Sequence, residues 1–476
     1  NPGGGTSRIS AQCDMAFGGS AEISANILVN ISAKGDMAFG GSASIQGAVR
    51  ATVAMAFGGS ALIGTVATGD VNMAPVNVLL IDIDDLGTDF FNAASALGVT
   101  PNLDRLRAQG MQFTNFWAAP LCSLCRARAL TGLDAYRSGN LVGKNIINLT
   151  FAGPTGNWIT KSMPGTRTKR GKWHISYVAG LSPGEIVDAT TDGYDEYTGS
   201  IANLAIGAGL GDYSWERGSA LRGFPATLAM STVFATNDTF DMAINDIKNG
   251  EEFVSASFNA IHIPLNSPPN GQPYGTAYPT ATGVTDDLKR DLLRHLDYRL
   301  GCLCDKAIEN GYTVFVYCDN GTADAGKGTM FESGIRTPMF VLGNTVKKGT
   351  STRLVQNTDL WGTIRWLRGC TDYTSAADSR VFVDEFIANQ AVIQAARQFL
   401  TCDDGPFLGV APDPATWRRA IRDIRWKLID DPAGTPVRYF FDLVADPTEA
   451  TNLYPSIPAG EATTAYDLLV ANLQVL

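Results

Sequence analysis

Two continuous apolar runs of strand length place the strongest constraint on the fold. Residues 76–83 read VNVLLIDI and residues 312–319 read YTVFVYCD, and neither run alternates between apolar and polar positions. A strand of this kind is buried on both faces, as in a parallel sheet that carries helices on either side. Residues 251–260, EEFVSASFNA, predict a further strand. The sequence therefore predicts an α/β fold with a central, mostly parallel sheet flanked by helices.

Helical segments separate these strands. Residues 100–110, TPNLDRLRAQG, have Thr100 as a candidate N-cap, a proline in the first turn and a glycine at the end. Residues 284–311 form a long amphipathic stretch that ends in Asn-Gly. Strands that alternate with helices in this way indicate βαβ units. We expect the α/β domain to cover residues 74–415.

The C-terminal residues show a different pattern. Residues 424–431, IRWKLIDD, and residues 438–446, RYFFDLVAD, predict an antiparallel pair of strands. Residues 463–476 predict a closing helix. We therefore expect a small antiparallel C-terminal subdomain over residues 416–476.

The N-terminal residues contain an internal repeat. A decamer with the common core MAFGGSA starts at residues 14, 36 and 54, so the starts are 22 (36−14) and 18 (54−36) residues apart. Each copy sets a Gly-Gly-Ser turn between short runs of apolar and small residues, which indicates strand–turn–strand. Both spacings are even, so equivalent side chains can keep the same face of a sheet. Such units bury little surface alone and usually stack on each other or on another chain.

We therefore expect residues 1–73 to form a β-rich repeat arm for assembly or anchoring, with a homo-oligomer or larger assembly as the product. A flexible Gly/Ala/Ser linker is the alternative. The expected location is extracellular, at a cell surface or on a virion, and the sequence shows no charged segment followed by an apolar leader. We expect a signal peptide to be either absent or already removed.

Composition argues against several classes of protein. The net charge of −10 and the pI near 4.9 disfavour a nucleic-acid binder, which needs a basic face. No run of eighteen apolar residues predicts a membrane span. Eight cysteines in 476 residues are too dilute for a disulfide scaffold. A zinc site is disfavoured as well, because its candidate ligands lie on different predicted elements and match no common finger: Cys122, Cys125, Cys302 and Cys304.

Acidic and amide side chains follow two of the predicted core strands. Asp84 and Asp85 come at the end of the first apolar run, and Asp319 and Asn320 come at the end of another. Ligands of open parallel sheets collect beyond the carboxyl ends of the strands. Four such side chains predict an all-oxygen site for Ca²⁺ or Mg²⁺. The alternative is that both segments are ordinary turns, which Asp, Asn and Gly favour.

Six motifs in a fixed order connect these features. They are NVLLIDIDDLG, then TPNLDRLRAQGMQFTNFWAAPLCSLCRARALTG, then GKWH at 171–174, NAIHIPL at 259–265, DNG at 319–321 and GKGTMFESGIRTP at 326–338. Together they resemble the type I sulfatases of the alkaline-phosphatase superfamily. The closing residues 425–454 are similar to that family's small C-terminal subdomain. The resemblance covers residues 76–460 and leaves out residues 1–70.

The resemblance implies a metal-dependent hydrolase of sulfate esters, acting on a sulfated small molecule or glycan. In that family the nucleophile is formylglycine, made from the cysteine of a Cys-x-Pro-x-Arg signature, and the matching position is Cys122. Arg126 is then the signature arginine that steadies residue 122. The resemblance also assigns the metal ligands, to one Ca²⁺ or Mg²⁺, as Asp84, Asp85, Asp319 and Asn320. It places four further side chains around the sulfate: Lys172, His174, His262 and Lys327.

These residue types suit the chemistry of a sulfate ester. The leaving oxygen gathers negative charge as the S–O bond breaks, and two lysines, an arginine and a dication supply fixed positive charge there. One histidine can take a proton from the nucleophile and another can give one to the departing alkoxide. A hydrated aldehyde carries two hydroxyls on one carbon, so one attacks sulfur and the other restores the aldehyde when sulfate leaves. His295 matches no motif and is expected to be structural.

The signature departs from the family pattern at several positions. Leu124 stands in place of the proline, Cys125 in place of a small polar residue, Leu133 in place of an arginine and Tyr136 in place of a histidine. Three outcomes follow for Cys122: conversion to formylglycine, a retained cysteine with a lowered pKa, or a disulfide with Cys125. The functional alternatives to a sulfatase are a non-catalytic assembly protein of a virion, filament or cell surface and a phosphonate or phosphate ester hydrolase.

Overall fold

The protein is described here from a computed structural model. It describes residues 75–138, 158–175, 193–204, 214–224, 226–269, 286–404, 417–432, 434 and 437–473, together with four short strands nearer the N-terminus. The chain divides after Ala74 into two compact units, which are treated separately.

The first unit, residues 1–74, contains the four short strands, β1 (Glu22–Ser24), β2 (Ser44–Gln46), β3 (Ala56–Phe57) and β4 (Ser60–Ala61). β1 and β2 pair in parallel with Ile23 opposite Ile45, so the register offset equals the 22-residue spacing of the first two repeats. β3 and β4 form an antiparallel pair within the third repeat. Equivalent positions of two repeats therefore pair with each other. The remaining parts of the repeats lie outside the described residues, and the role of the arm in assembly stays a prediction.

The second unit is built on a ten-stranded sheet. In spatial order its strands are β11 (Thr227–Ser231), β10 (Trp215–Leu221), β9 (Glu196–Gly199), β8 (Arg167–Gly171), β12 (Phe253–Phe258), β5 (Val78–Ile83), β13 (Thr313–Cys318), β14 (Met339–Leu342), β6 (Met111–Phe113) and β15 (Gly349–Ser351). Five spatial neighbours at the centre of the sheet are parallel to one another: β9, β8, β12, β5 and β13. Antiparallel pairs extend the sheet on both sides of this centre. The predicted α/β fold with a mostly parallel sheet is confirmed.

Helices cover both faces of this sheet. Those in the described residues are α1 (Thr88–Ala96), α2 (Pro101–Gln109), α3 (Cys122–Thr131), α4 (Ala135–Ser138), α5 (Ala235–Asn249), α6 (Asp286–Glu309), α7 (Glu332–Ile335), α8 (Asp359–Leu367), α9 (Val383–Phe386) and α10 (Glu461–Leu473). Leu79, Ile81 and Ile83 of β5 join the main apolar core with α1, α2, α5 and α6. The intervening positions of β5 face the opposite side, where Asp82 meets α3. All six residues of β5 are buried, as the continuous apolar run predicts.

The start of α2 differs from its expected chemistry. Thr100 precedes the helix, but its side chain caps no backbone N–H and bonds to Asp104 instead. Asp297 of α6 accepts the N–H groups of Asn102 at 3.1 Å and Leu103 at 2.7 Å. The first turn is thus capped by a buried carboxylate from a distant helix, which also ties α2 to α6.

The C-terminal part forms a four-stranded antiparallel sheet of β17 (Leu400–Asp404), β18 (Arg418–Arg422), β19 (Trp426–Asp430) and β20 (Arg438–Asp442). α10 packs on this sheet through a second apolar core. β19 and β20 form the antiparallel pair that the sequence predicts. β17 comes from before residue 416, so the sheet begins earlier in the chain than the expected subdomain boundary. A separate two-stranded parallel pair joins β7 (Phe116–Trp117) and β16 (Val355–Gln356).

A buried cluster of charges joins the C-terminal sheet to the main body. Lys427 of β19 is fully buried, and its Nζ lies 3.0 Å from Glu332 Oε1 and 2.7 Å from Glu449 Oε1. Arg422 approaches the other oxygen of Glu332 at 3.1 Å, and Trp117 Nε1 donates to Glu332 Oε1 at 2.9 Å. Burial alone would raise the pKa of Glu332, but the neighbouring cations hold it below its usual value. Charge pairing therefore compensates the desolvation of this interface.

We predict that Lys427→Met lowers the free energy of unfolding by about 3–5 kcal/mol, because two carboxylates lose their shared cation in a buried site. Urea denaturation measures this loss. Lys306→Met is the matched control: Lys306 lies 3.1 Å from Glu309, but both side chains are well exposed. Its expected cost is below about 1 kcal/mol. Equal losses in the two variants would contradict the role assigned to the buried cluster.

Candidate active site

Four adjacent parallel strands end at one edge of the sheet, and each is followed by side chains predicted for the site. The strands are β8, β12, β5 and β13, in that spatial order. Their carboxyl ends bring together Lys172 and His174, then His262, then Asp84 and Asp85, then Asp319 and Asn320. The sequence placed candidate ligands at the ends of two strands, and in the structure four strand ends contribute side chains to the same place.

α3 brings the signature residues to the same edge. The helix begins at Cys122, whose Sγ lies 3.3 Å from Lys327 Nζ and 4.0 Å from Asp85 Oδ1. One turn later, Arg126 places its guanidinium 2.5 Å from Asp82 and 3.3 Å from Asp319. Residue 122 and the arginine therefore meet the acidic strand ends through a single short helix.

Lysines compensate the two aspartates that follow β5. Lys172 Nζ pairs with Asp84 Oδ2, and Lys327 Nζ pairs with Asp85 Oδ1. Burial alone would raise the pKa of Asp84, but Lys172 and the other nearby cations hold it well below its usual value. Asp319 behaves in the opposite way, since burial and the negative charges of Asp84 and Asp82 raise its pKa. The cluster therefore contains more buried carboxylate than its own cations neutralise.

The donor atoms fit a hard divalent cation. Asp84 Oδ1, Asp85 Oδ2 and Asn320 Oδ1 are buried and make no hydrogen bond. Ligand-capable atoms of Asp84, Asp85, Cys122 and His262 lie within 4.8 Å of one another. Ca²⁺ and Mg²⁺ prefer oxygen ligands and negative charge, and these three oxygens supply part of such a ligand set.

The remaining predicted ligand is arranged differently. Asp319 Oδ1 accepts the backbone N–H of Asp85 at 3.1 Å, and its Oδ2 accepts from Arg126 at 3.3 Å. Asn320 donates from Nδ2 to Asp85 Oδ1 at 2.7 Å, and its own Oδ1 is buried without a hydrogen bond. Asp319 thus supports Asp85 and Arg126 through both of its oxygens.

The two site histidines have lowered pKa values. Burial is the main cause for His174, with the charges of Lys172 and Arg126 adding to it. Burial also lowers the pKa of His262, whose Nε2 lies 4.0 Å from Asp85 Oδ2. Both imidazoles are therefore neutral near pH 7 and able to accept a proton. His295 lies elsewhere, with Nε2 2.7 Å from Asn237 Oδ1 between α6 and α5, as expected for a structural residue.

The conformation of the GKWH segment depends on its glycine. Gly171 has φ of 79°, and a Cβ there would lie 2.0 Å from the carbonyl oxygen of Ser257. His174 also has positive φ, 53°. The chain turns sharply where β8 ends, and this turn aims Lys172 back at Asp84.

Cys122 and Cys125 are both free thiols. Cys125 Sγ accepts a hydrogen bond from Asn357 Nδ2 at 3.1 Å, whereas Cys122 Sγ faces Lys327. Of the three outcomes considered for Cys122, the disulfide with Cys125 is therefore not the one in this structure. Burial and the carboxylate of Asp84 raise the pKa of Cys122 well above its usual value, so the protein's own groups favour the thiol and not the thiolate.

Sequence reasoning missed a polar layer beneath the site. Asp82 accepts a hydrogen bond from Ser257 Oγ at 3.1 Å, and Lys169 bonds to Ser257 and, at 3.4 Å, to Ser255. Burial and the charge of Arg126 lower the pKa of Lys169 from 10.5 to about 7. A signal for this layer was available in the sequence, because successive side chains of a strand point to opposite faces of the sheet. Asp82 therefore faces away from Ile81 and Ile83 in β5, and an acid buried there requires a partner.

The fold of the second unit is shared with several solved proteins, sulfatases among them. Solved structures that share the fold include the PsFucS1 sulfatase from Pseudoalteromonas sp. (TM-score 0.62, 18% identity, 84% of this chain and 90% of that one). Another is Ps i-CgsB in complex with k-i-k-neocarrahexaose (TM-score 0.64, 18% identity, 84% of this chain and 92% of that one). A third is BT4656 in complex with its substrate D-glucosamine-2-N,6-O-disulfate (TM-score 0.62, 17% identity, 84% of this chain and 98% of that one). The Sulfatase family model matches residues 76–367, more than half of the sequence, and the chain belongs to the sulfatase family.

Curated relatives agree with this family. N-acetylgalactosamine-6-sulfatase of Homo sapiens is 28% identical over an alignment of 343 positions, and the match covers 62% of this chain and 63% of that protein. The Sus scrofa protein of the same name is 28% identical over an alignment of 308 positions, and the match covers 56% of each chain. The chain thus matches between about half and two thirds of the length of these relatives. In the described part of the chain, no helix combines the length and the apolar character needed to cross a bilayer.

We predict that Lys169 makes stability depend on pH. Above about pH 7 folded Lys169 is neutral, while the unfolded side chain keeps its proton up to about pH 10. The wild type therefore gains up to about 1.4 kcal/mol of unfolding free energy per pH unit across this interval. Lys169→Met removes this gain, whereas Lys248→Met, at an exposed position in α5, keeps it. Denaturation of the three proteins between pH 6 and 10 tests this, and parallel curves would refute it.

Proposed function

We propose that the chain hydrolyses sulfate esters, with residue 122 as the nucleophile after conversion to formylglycine. The observation that carries the proposal is the position of the Cys122 side chain. Its sulfur lies 3.3 Å from Lys327 Nζ and 4.0 Å from Asp85, at the edge where three buried oxygens have no partner. A tetrahedral anion at residue 122 would meet fixed positive charge on several sides.

Each predicted side chain has a role in this proposal. Asp84, Asp85 and Asn320 would hold the dication directly, and Asp319 would complete the set while orienting Arg126. A bound Ca²⁺ or Mg²⁺ supplies Lewis acidity and charge for the oxygens of the sulfate group. Lys172 and Lys327 bind and orient the same group as point charges.

Proton transfer is assigned to the histidines. We propose that His174 takes the proton from the attacking hydroxyl of residue 122, because its neutral imidazole is the resting form. His262 first takes up a proton from solvent and, as the imidazolium, gives it to the departing alcohol oxygen when the S–O bond breaks. His262 is the better placed of the two for this step, because it also lines a cavity that leads away from the charged centre.

A sulfated glycan is the proposed substrate class. Relatives carry the name N-acetylgalactosamine-6-sulfatase, and proteins of the same fold were solved with a disulfated glucosamine and with a neocarrahexaose. An arm of stacked repeats suits action at a surface, so we place the enzyme outside the cell, at a cell surface or on a virion. The near alternative is a phosphonate or phosphate ester hydrolase, since one pocket can accept either tetrahedral anion. Sulfate and phosphate esters of one chromogenic alcohol separate the two, and a preference for phosphate would overturn the first choice.

We predict that residue 122 is a formylglycine when the chain is produced with the modifying enzyme. Peptide mass spectrometry across residues 120–126 distinguishes aldehyde from thiol. Cys122→Ala should abolish sulfate ester hydrolysis, whereas Cys125→Ala should retain it because Cys125 faces Asn357 instead of the site. An unconverted thiol combined with full activity would exclude the aldehyde mechanism.

We predict that a dication stabilises the folded protein. Ca²⁺ or Mg²⁺ at about 100 times its Kd adds about 2.7 kcal/mol to the free energy of unfolding. The thermal midpoint should fall on chelation and recover with the preferred ion. Asp84→Asn should lose most of the response, and Asp286→Asn, an exposed acid at the start of α6, should keep it. Titration calorimetry of the same variants gives a readout that is independent of catalysis.

The second candidate function is a structural one, favoured by the pairing of β1 with β2 and by Leu124 in the signature. We predict that the full chain forms multimers and that a chain lacking residues 1–73 is monomeric in analytical ultracentrifugation. Hydrolysis by the shortened chain would leave the enzyme and the arm as separate functions. Multimers that persist without the arm would contradict its role in assembly.

A further inference from the structure

A mostly apolar cavity, open to solvent on one side, adjoins the charged site. Its walls are mainly the side chains of Leu204, Trp215, Phe234, Ala235, Pro264 and Leu292. The other lining side chains are amides, a hydroxyl, a methyl and the imidazole of His262. No Asp, Glu, Lys or Arg is among the described residues that line it. The lining therefore has the polarity of a site for an uncharged ring.

His262 separates this cavity from the anion site. On one side its Nε2 lies 4.0 Å from Asp85 Oδ2, within the cluster that contains Lys172 and Lys327. On the other side the imidazole forms part of the cavity wall. A molecule that fills both spaces has a negatively charged end at the lysines and an apolar end among the aromatic rings. A sulfate ester has this division at its bridging oxygen.

The aromatic walls are held in place by the protein. Trp215 Nε1 donates to the carbonyl oxygen of Val233 at 2.8 Å. Phe234 packs edge-on against His295, with ring centroids 5.3 Å apart. Asn259 is engaged with Ser200, from Nδ2 to Oγ at 3.1 Å. These contacts fix the walls before a ligand arrives, and they leave apolar ring surface as the main recognition feature.

We infer that this cavity binds the alcohol part of the substrate through an uncharged ring, so the preferred substrates are sulfate monoesters whose ring carries no second charge. The inference rests on the proposed sulfatase function. A second sulfate or a carboxylate on the same ring would lie among the described lining residues, none of which is a cation, and its desolvation there is unfavourable. Either an aromatic ring or the C–H face of a neutral sugar satisfies the same chemistry.

The first test compares three substrates on the converted enzyme. 4-Nitrophenyl sulfate supplies an aromatic ring, galactose 6-sulfate a neutral sugar, and D-glucosamine-2-N,6-O-disulfate a ring with a second sulfate. We expect kcat/KM for at least one neutral ring to exceed that for the disulfate by tenfold or more. The first two substrates show whether the ring is aromatic or a sugar. Equal values for all three, or a preference for the disulfate, would overturn the inference while leaving sulfatase activity established.

The second test uses a variant at the partly exposed edge of the cavity. Leu204→Ala removes apolar surface and should raise KM for the preferred neutral substrate about tenfold with kcat little changed. Inhibition by inorganic sulfate, which occupies only the charged site, should be unaffected. Phe224→Ala is the matched control, because Phe224 is an exposed apolar residue that does not line the cavity. Equal KM values in both variants would count against the cavity.

A binding measurement separates failure of the inference from failure of the proposed function. Phenyl β-galactoside has an uncharged ring and no sulfate, and its binding is followed by saturation-transfer NMR. Binding that Leu204→Ala weakens and Phe224→Ala does not, in a protein that hydrolyses no sulfate ester, would keep the ring site and remove the sulfatase function. Hydrolysis without such binding would keep the function and remove the ring site. Absence of both would remove both.

Discussion

Arg126 holds the carboxyl edge of the sheet together. It extends from the first turns of α3 and contacts carboxylates that follow or belong to two core strands, Asp82 and Asp319. Without this guanidinium the acids would be buried like charges, at a cost of several kcal/mol for each. The same contact fixes α3 against the sheet, and Cys122 begins that helix. The position of the proposed nucleophile is therefore set by an ion pair one turn away from it.

The loop that carries Lys327 is held from two directions. The N–H of Gly328 donates to the carbonyl oxygen of Pro120 at 2.9 Å, which ties the loop to the segment before α3. Arg418 of β18 donates to the carbonyl oxygen of Gly328 at 3.0 Å. A few residues further on, Glu332 lies in the buried charge cluster with Lys427. The C-terminal sheet thus contributes to the site by holding the loop that carries Lys327.

Local sequence patterns predict the central sheet and the family of this protein, but not its long-range contacts. The runs that become β5 and β13 are apolar enough to identify a parallel sheet, and the order of six motifs identifies the family. Sequence cannot show that Asp297 caps a helix nearly two hundred positions earlier, since any acid on α6 would look the same. Lys169 and Lys427 likewise resemble surface lysines in the sequence. Their burial follows from pairings across the fold, which no local window contains.

The charge cluster around Lys427 bears on where this fold can be cut. The family match covers residues 76–367, whereas Lys427 and Glu449 lie well beyond it. A fragment limited to the matched stretch would keep Glu332 but lose its buried cations and the four-stranded sheet that covers it. In such a fragment the carboxylate of Glu332 and the indole of Trp117, both buried in the full fold, would be exposed to solvent. The stretch that the family model matches is therefore shorter than the smallest piece that we expect to fold independently.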